Sequence, residues 1–427
     1  MLPPSASLLP LLLPLRRRRR PLAFAAAFVA ALAAGAPGDA RAQDAGLPLC
    51  ADPVARPLVV YAAGSSALRP FLGVVATLLG RDDPPYTLVY QSQGSCTGVG
   101  YMTSPEGPGQ RIFDAAGGGT NYAVYFDGAG NAVECSLGAE GARVDVGISD
   151  VFAESCEGPA RPADVEDYFG PIQAMTFVVG ARSQQYSISA EAAYLALGAG
   201  GDGGRSAPWS DPTKFFVRNT SSGTQQMIAR AIDVPASAWW GVDQGGSGVV
   251  LDKLSNLLTE GGADPALGIL SADLADQNRG ILRILAFQER GQPCGFLPDS
   301  TSESLDKRNV RDGHYPIWGP SHLFARVDGD RLPVSPGAAA LLRRFSSPRL
   351  DQQVIDVEIG NGLIPQCAMQ VTRASEMGPL SSNRREYQCD CYFDAVATGR
   401  SDCQPCARPA DCPAEAPACN YGFCEAN

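Results

Sequence analysis

Residues 217–232, VRNTSSGTQQMIARAI, begin with one arginine and a cluster of hydroxyl residues and continue as a short amphipathic segment. Apolar residues recur in this segment at helical spacing. Ser and Thr before such a face are N-cap residues, because their hydroxyls bond the unpaired N–H groups of the first turn. Gly223 lets the backbone approach a ligand closely. A helix start with hydroxyls and Arg218 is an anion site in outline, although an ordinary N-cap with a surface arginine has the same pattern.

Two further turns share this design. GSSA at 64–67 and GSCTG at 94–98 each follow a strand-like apolar stretch and precede a predicted helix. A fourth element, DVGIS at 145–149, is predicted to be a strand, and Asp150 follows it directly. Each turn alone is a weak signal, but together they place three hydroxyl-rich helix starts and one carboxylate in the same body.

The order and spacing of these motifs resemble the periplasmic phosphate-binding proteins of ABC uptake systems, which belong to the type 2 periplasmic binding protein superfamily. The matching motifs are the G-x-[ST] turn at 64–66, YQSQGS at 90–95, DVGISD at 145–150 and R-x-x-x-SGT at 218–224. The resemblance covers roughly residues 58–365.

This resemblance implies a two-lobed α/β fold that closes on an anion across a hinge crossed twice by the chain. Lobe one would hold residues 57–171 and 320–387, and lobe two would hold 172–319, with crossings near Ile172 and near 315–319. The ligand contacts carried over from the family are Ser66, Ala67, Ser95, Asp150, Arg218, Ser222, Gly223 and Thr224.

The chemistry of these residues favours phosphate among the tetrahedral oxyanions. Neutral N–H and hydroxyl donors can satisfy phosphate oxygens, and Arg218 adds a bidentate charged donor. Asp150 would accept the proton that phosphate keeps at neutral pH, whereas sulfate has no proton to offer. Sites built around a specific hydrogen bond discriminate by about 10⁴-fold or more. The alternative role for Asp150 is a strand-terminal N-cap.

Three features depart from the family pattern. Thr220 stands where the family usually has an aspartate that pairs with the arginine, and Ala67 stands where an aromatic residue is usual. Residues 103–142, rich in Gly, Asp and Asn, form an insertion with a predicted β-hairpin around 126–128. Its Cys135 is expected to pair with Cys96 or Cys156.

The rest of the body alternates strand-like and helix-like stretches, which favours an α/β fold with largely parallel sheets. Residues 172–180, IQAMTFVVG, are a near-continuous apolar run of the kind expected for a buried parallel strand. Helices are predicted over 188–197 with Ser189 as the cap, and over 247–258.

Residues 1–42 are predicted to be a signal peptide, with five arginines at 16–20, an apolar stretch at 22–34 and Ala-Arg-Ala at 40–42. The mature chain would be periplasmic or secreted. No later run reaches roughly 18 apolar residues, so no membrane span is expected after cleavage. Cleavage removes six arginines and one aspartate, which changes the formal net charge from −11 to −16. So acidic a chain is a poor candidate for nucleic acid or anionic membranes.

All 13 cysteines lie after the predicted cleavage site, and export favours disulfides over metal ligands. An odd total leaves one thiol free, or paired across groups or between molecules. Residues 388–427 are predicted to be a disulfide-held tail without a core of its own. The body cysteines are Cys50, Cys96, Cys135, Cys156, Cys294 and Cys367, and the tail cysteines are Cys389, Cys391, Cys403, Cys406, Cys412, Cys419 and Cys424.

These observations predict a monomeric, non-enzymatic solute-binding component of an ABC transporter that binds phosphate or a similar oxyanion, with a permease as partner and no cofactor or metal. Two other classes stay open. The Cys-rich tail favours a secreted or surface interaction protein that reuses the binding fold. A hydrolase would need the loose nucleophile-elbow match GGSGV at 245–249 and one of the two histidines, His314 and His322.

Overall fold

The computed structural model describes residues 47–113, 123–138, 140–200, 206–260 and 263–426, without the side chains of 258–260. The predicted signal peptide, residues 1–42, and the middle of the predicted insertion lie outside the described residues. Among the helices described, none has both the length and the apolar character needed to cross a bilayer.

The described part of the chain contains nineteen strands, which are short apart from two. In chain order they are β1 (Val59–Gly64), β2 (Thr87–Ser92), β3 (Arg111–Ile112), β4 (Ala123–Phe126), β5 (Ala132–Cys135), β6 (Ala142–Arg143), β7 (Val146–Ser149), β8 (Val165–Gly180), β9 (Ser187–Ser189), β10 (Phe215–Val217), β11 (Val242–Asp243), β12 (Leu267–Ser271), β13 (Leu282–Ile284), β14 (Ala286–Gln288), β15 (Trp318–Arg326), β16 (Val371–Thr372), β17 (Ser381–Ser382), β18 (Ala418–Asn420) and β19 (Phe423–Glu425).

Eleven of these strands form one mixed sheet in the order β11-β10-β12-β8-β15-β7-β1-β2-β4-β5, with β13 beside β8. Two blocks of this sheet are parallel, β7-β1-β2 and β11-β10-β12. The predicted hairpin of the insertion is confirmed as β4-β5. The remaining strands described pair as β3-β6, β9-β14, β16-β17 and β18-β19.

The expectation that residues 172–180 form a parallel strand is wrong. They belong to the 16-residue strand β8, which runs antiparallel to β12, β13 and β15. The continuous apolar run reflects the burial of this segment, since residues 170–180 are all buried. A side chain covered on either face of a sheet is apolar whichever way the neighbouring strands run, so the pattern does not report strand direction.

Both predicted crossing points fall on the two long strands, β8 and β15. Trp318 pairs with Ala174 and Gly319 pairs with Gln173, so the two stretches lie side by side. Beyond this point β8 continues along β12 and β13, whereas β15 continues along β7. The division of the chain into two lobes stays a prediction.

Ten α-helices are described, and most flank the main sheet. They are α1 (Arg69–Leu79), α2 (Ser95–Thr103), α3 (Ala190–Ala193), α4 (Gly223–Ile232), α5 (Ser247–Glu260), α6 (Ala272–Asp276), α7 (Arg308–Arg311), α8 (Pro336–Leu342), α9 (Gln352–Gly360) and α10 (Asp390–Thr398). The predicted cap Ser189 accepts a hydrogen bond from the Ala192 N–H at 3.1 Å. Helix α3 then continues as a π-helical turn over Tyr194–Ala199.

Six disulfides join twelve of the thirteen cysteines, all of which lie in the described residues, and Cys294 is free and exposed. The expected partners of Cys135 are wrong, because Cys135 pairs with Cys50 and Cys96 pairs with Cys156. The expected partners were the cysteines on either side of the insertion, but the fold brings residues 49–50 beside the end of β5. The pairs are Cys50–Cys135, Cys96–Cys156, Cys367–Cys389, Cys391–Cys403, Cys406–Cys419 and Cys412–Cys424.

The predicted α/β class with a disulfide-rich C-terminal region is confirmed. The tail is less independent than expected, because its helix α10 places Phe393 in the core of the body. Cys367–Cys389 also ties the tail covalently to the body.

Candidate functional site

Three loops meet where β1, β2 and β7 end. Gly64 pairs with Ser92 on one side and with Ile148 on the other, so the three strands reach the same edge of the sheet. The turn after Gly64 leads to α1, Gly94 precedes α2, and Asp150 follows β7. A Cβ on Gly64 would lie 1.8 Å from the Ile148 carbonyl oxygen, and its φ is +141°, so only glycine fits here.

Asp150 lies at the centre of this edge and is 2% exposed. Its Oδ1 accepts the Ser65 hydroxyl at 2.5 Å, and its Oδ2 accepts the Ser95 hydroxyl at 2.9 Å. The Asp150 N–H in turn donates to Ser95 Oγ at 3.1 Å. Burial raises the pKa of Asp150, while the two hydroxyls and Arg218 oppose that rise. A carboxylate offers about four lone-pair sites, so Asp150 can accept a further hydrogen bond.

Ser65 provides the hydroxyl of the GSSA turn that contacts Asp150, whereas the family resemblance predicted a role for Ser66. Besides donating to Asp150, Ser65 Oγ accepts from the N–H groups of Ala67 at 3.2 Å and Leu68 at 3.3 Å. Its carbonyl oxygen accepts the hydroxyl of the buried Tyr90. The Ala67 N–H, expected to face a ligand, is therefore bonded within the turn. The two adjacent serines of the GSSA turn indicate that one hydroxyl contacts the site, but the motif does not show which of the two does so.

Helix α4 brings its start against Asp150. Its predicted apolar face is confirmed, with Met227, Ile228 and Ile232 fully buried in the core. These side chains fix the helix, and each contributes about 1.5–3 kcal/mol when fully buried. Ser222 is the N-cap and accepts from the Gln225 N–H at 3.4 Å. A negative group is stabilised at such a helix start, because the first N–H groups carry partial positive charge.

Gly223 makes this approach sterically possible. A Cβ at this position would lie 2.3 Å from Ser95 Oγ and 2.8 Å from Asp150 Oδ2. Its neighbour Thr224 is 2% exposed. The first residues of α4 therefore lie directly against Ser95 and Asp150, which are predicted to bind the anion.

Arg218, which follows β10, is 4% exposed. Its guanidinium donates to Ser247 Oγ at 2.5 Å, to Ser66 Oγ at 3.3 Å and to the Gly245 carbonyl oxygen at 3.3 Å. Burial lowers the pKa of Arg218, and Asp150 and Asp243 oppose that change at longer range. In the described residues no carboxylate lies within ion-pair distance of this guanidinium.

Two further hydrogen bonds join the start of α2 and the loop before it to the loop before α4. The Cys96 N–H donates to the Ser221 carbonyl oxygen at 3.0 Å, and the Ser221 hydroxyl donates to the Gln93 carbonyl oxygen at 3.0 Å. Gly94 has φ +102°, and a Cβ there would lie 2.5 Å from the Ser221 carbonyl oxygen. The loop before α2 and the loop before α4 are thus in direct contact.

The contacts above bring Ser66, Ser95, Asp150, Arg218 and Gly223 into one cluster. Ser222 adjoins Gly223 in the chain, and its hydroxyl caps α4. Two members were not predicted, Ser65 and Ser247. Ser247 belongs to the GGSGV match considered for a hydrolase, and the structure gives it a different contact. A groove of about 830 Å³ on another face, lined among others by Tyr86, Arg343 and Tyr421, contains none of the cluster.

The hydrolase arrangement is not assembled in the described part of the chain. Ser247 is bonded to Arg218, and neither histidine donates to or accepts from a serine hydroxyl there. His322 Nδ1 lies 3.0 Å from the Asp167 carboxylate, and His314 lies beside Asp312 at 2.7 Å. A nucleophile and a base in hydrogen-bond reach are the minimum for that chemistry.

No family model and no curated protein sequence matches this chain at the significance required for a match. Solved structures do match. A provisionally assigned phosphate ABC transporter substrate-binding protein from Clostridium perfringens, with bound phosphate, is 12% identical with a TM-score of 0.46 over 72% of this chain and 99% of that one. An ABC-type phosphate transport receptor from Vibrio cholerae is 12% identical with a TM-score of 0.45 over the same shares.

A possible phosphate-binding protein from Planctomyces limnophilus is 14% identical with a TM-score of 0.41, over 72% of this chain and 92% of that one. These are similarities at low identity and with TM-scores under 0.5. They carry no conclusion about the ligand of this chain.

Proposed function

We propose that this chain binds an inorganic oxyanion, with phosphate as the first candidate, at the cluster around Asp150. The observation that carries the proposal is the buried carboxylate of Asp150 beside the start of α4, held by two hydroxyls and close to the buried Arg218. A buried carboxylate next to an anion is favourable only when the anion supplies a proton to it, since two like charges would repel.

Each group has a role in this proposal. Arg218 and the hydroxyls of Ser66, Ser95, Ser222 and Thr224 donate to ligand oxygens, together with the backbone N–H of Gly223. The Ala67 N–H is left out of this set, because it donates to Ser65 Oγ. Asp150 accepts the ligand proton. The hydroxyls of Ser65 and Ser95 can rotate, so one hydrogen bond to Asp150 can be exchanged for one to the ligand.

The wider role proposed is that of an extracytoplasmic solute-binding component of an ABC transporter, periplasmic or secreted, monomeric, and delivering its ligand to a permease. Two lobes, 57–171 with 320–387 and 172–319, would close across β8 and β15. This part rests on the motif resemblance and on the contacts between segments from both sides, such as Cys96 with Ser221. No cofactor or metal enters the proposal.

Calorimetric titration of the mature chain, residues 43–427, tests the binding function. We expect phosphate to bind in the micromolar range or tighter, which is about −8 kcal/mol, and sulfate to give no signal. Arg218→Gln, which removes the charged donor, should weaken phosphate binding by about 100-fold. Silence of the unsubstituted chain toward both anions would remove the proposal and favour an interaction protein built on the same fold.

A further inference from the structure

The partners of Arg218 are unusual for a buried guanidinium. Buried charges in proteins are normally paired with an opposite charge. Here the three acceptors are the hydroxyls of Ser247 and Ser66 and the carbonyl oxygen of Gly245, all neutral. Thr220, where the resembling family has the partner carboxylate, is exposed and uncharged.

Few charged groups face this part of the site. Asp243 acts on Arg218 at longer range, and its carboxylate accepts the Gly245 N–H at 2.7 Å. Asp150 is faced by Arg218, by His322 and by the phenol of Tyr90. Glu376 contacts the next loop at the Phe152 N–H, 3.1 Å away.

Resting on the proposed function, we propose that Ser247 is a positioning residue that sets the charge preference of the site. It orients Arg218 through a neutral hydroxyl and so leaves the whole positive charge to the ligand. The site then favours the doubly charged, singly protonated form of phosphate over the singly charged form.

Coulomb energies scale with the charge of each partner, and this scaling separates the two forms of phosphate. A carboxylate in place of the Ser247 hydroxyl would neutralise Arg218 and would repel the ligand, and the dianion would feel both effects twice as strongly as the monoanion. Because Arg218 is buried, solvent screens these effects only in part. A neutral partner for Arg218 therefore preserves the stronger attraction of the dianion over the monoanion. The single buried acceptor, Asp150, matches the one proton that the dianion carries.

Ser247→Asp and its uncharged counterpart Ser247→Asn test the inference. Phosphate affinity of the mature chain and of both variants is measured by calorimetry at about pH 6 and about pH 8, on either side of the loss of the second phosphate proton. The readout is the ratio of the two affinities within each protein. Titration of Asp150 and of other groups contributes to all three ratios, so their comparison isolates the new charge.

We expect Ser247→Asn to keep the ratio of the unsubstituted chain, whatever its absolute affinity, and Ser247→Asp to lower that ratio by about fivefold or more, because like charges brought together cost several kcal/mol. Equal ratios in the Asp and Asn variants would overturn the inference while leaving phosphate binding intact. No phosphate binding by the unsubstituted chain would overturn the proposed function and the inference with it.

Ser247→Glu and Ser247→Gln form a second pair at the same position, where the partly buried site lets a longer side chain reach solvent. Thermal melting of all four variants identifies any that fail to fold. If Ser247→Asp does not fold, the Glu and Gln variants give the same comparison, and equal ratios there would overturn the inference.

Discussion

Asp150 and Arg218 are the two buried ionisable residues of the cluster, and the side-chain hydrogen bonds that each makes in the described residues go to neutral groups. The hydroxyls of Ser65 and Ser95 solvate the carboxylate, and the hydroxyls of Ser66 and Ser247 solvate the guanidinium. Hydrogen bonds to a charged group contribute about 1.5–3 kcal/mol each. This arrangement holds both groups inside the protein without a direct ion pair between them, as the proposed binding of an oxyanion requires.

Gly223 gives the sharpest steric prediction at the residue scale. Gly223→Ala would place a methyl group 2.3 Å from Ser95 Oγ and 2.8 Å from Asp150 Oδ2. We expect the start of α4 to be displaced, with phosphate binding lost and unfolding free energy lowered by about 1–3 kcal/mol. Calorimetry and chemical denaturation give the two quantities.

Gly100→Ala is the matched control, because Gly100 lies inside α2 and a Cβ added there would have no other described atom within 4 Å outside its own helix backbone and chain neighbours. Alanine there should leave binding unchanged and stabilise the helix slightly. Normal phosphate binding by Gly223→Ala would contradict the close approach of α4 to Asp150.

At the scale of elements, the site is built from helix starts and strand ends whose existence the sequence could predict. The apolar face of α4, the turns before α1 and α2 and the strand before Asp150 follow from local patterns. The direction of β8 could not be predicted, since burial of both faces gives the same apolar run in either direction. Ser65 and Ser247 were missed because their roles depend on contacts with residues 85 and 29 positions away.

Glu358 on α9 provides a prediction about pH. It is 1% exposed, and burial raises its pKa to about 8, against about 4.3 for an unfolded chain. The folded state therefore holds a proton that the unfolded state releases. The contribution of Glu358 to stability is largest below the unfolded pKa and is lost as pH rises to the folded pKa.

Glu358→Gln removes that dependence. Relative to the unsubstituted chain, the variant should gain about 3 kcal/mol of unfolding free energy between pH 5 and pH 8, measured by chemical denaturation at both values. Glu191→Gln, an exposed helical control, should show no such difference. A pH-independent effect of Glu358→Gln would mean that the buried carboxyl does not titrate in this range.

At the scale of the whole molecule, the C-terminal region is part of the folded body. The guanidinium of Arg311 on α7 is fully buried, bonds Asp390 and Asp394 of α10 and lies 4.5 Å from the ring centroid of Phe393. Tyr392 also donates to Asp356 of α9 at 2.5 Å. A Cys-rich composition predicts disulfides, but it does not say what the module packs against, so this docking could not be read from the sequence.

Arg311→Ala should therefore destabilise the molecule strongly. The carboxylates of Asp390 and Asp394 are 29% and 30% exposed and stay partly solvated. We therefore expect a loss of about 1.5–3 kcal/mol for the hydrogen bonds to charged groups, below the cost of breaking a fully buried pair. Arg308→Ala is the control on the same helix, since its side chain is 52% exposed and its ion pair with Asp312 spans 3.9 Å. Equal stability of the two variants in urea would contradict the docking of the tail through Arg311.

Asp150→Asn is the sharpest test of the proposal that Asp150 recognises a proton on the bound oxyanion. Asparagine keeps the size of the side chain, but its amide offers a donor where the carboxylate accepted a proton, so sulfate should no longer be rejected. Titration of the folded variant with both anions should show weaker phosphate binding, measurable sulfate binding and a phosphate preference reduced by about 10²-fold or more. An unchanged preference for phosphate over sulfate would show that Asp150 does not recognise the ligand proton.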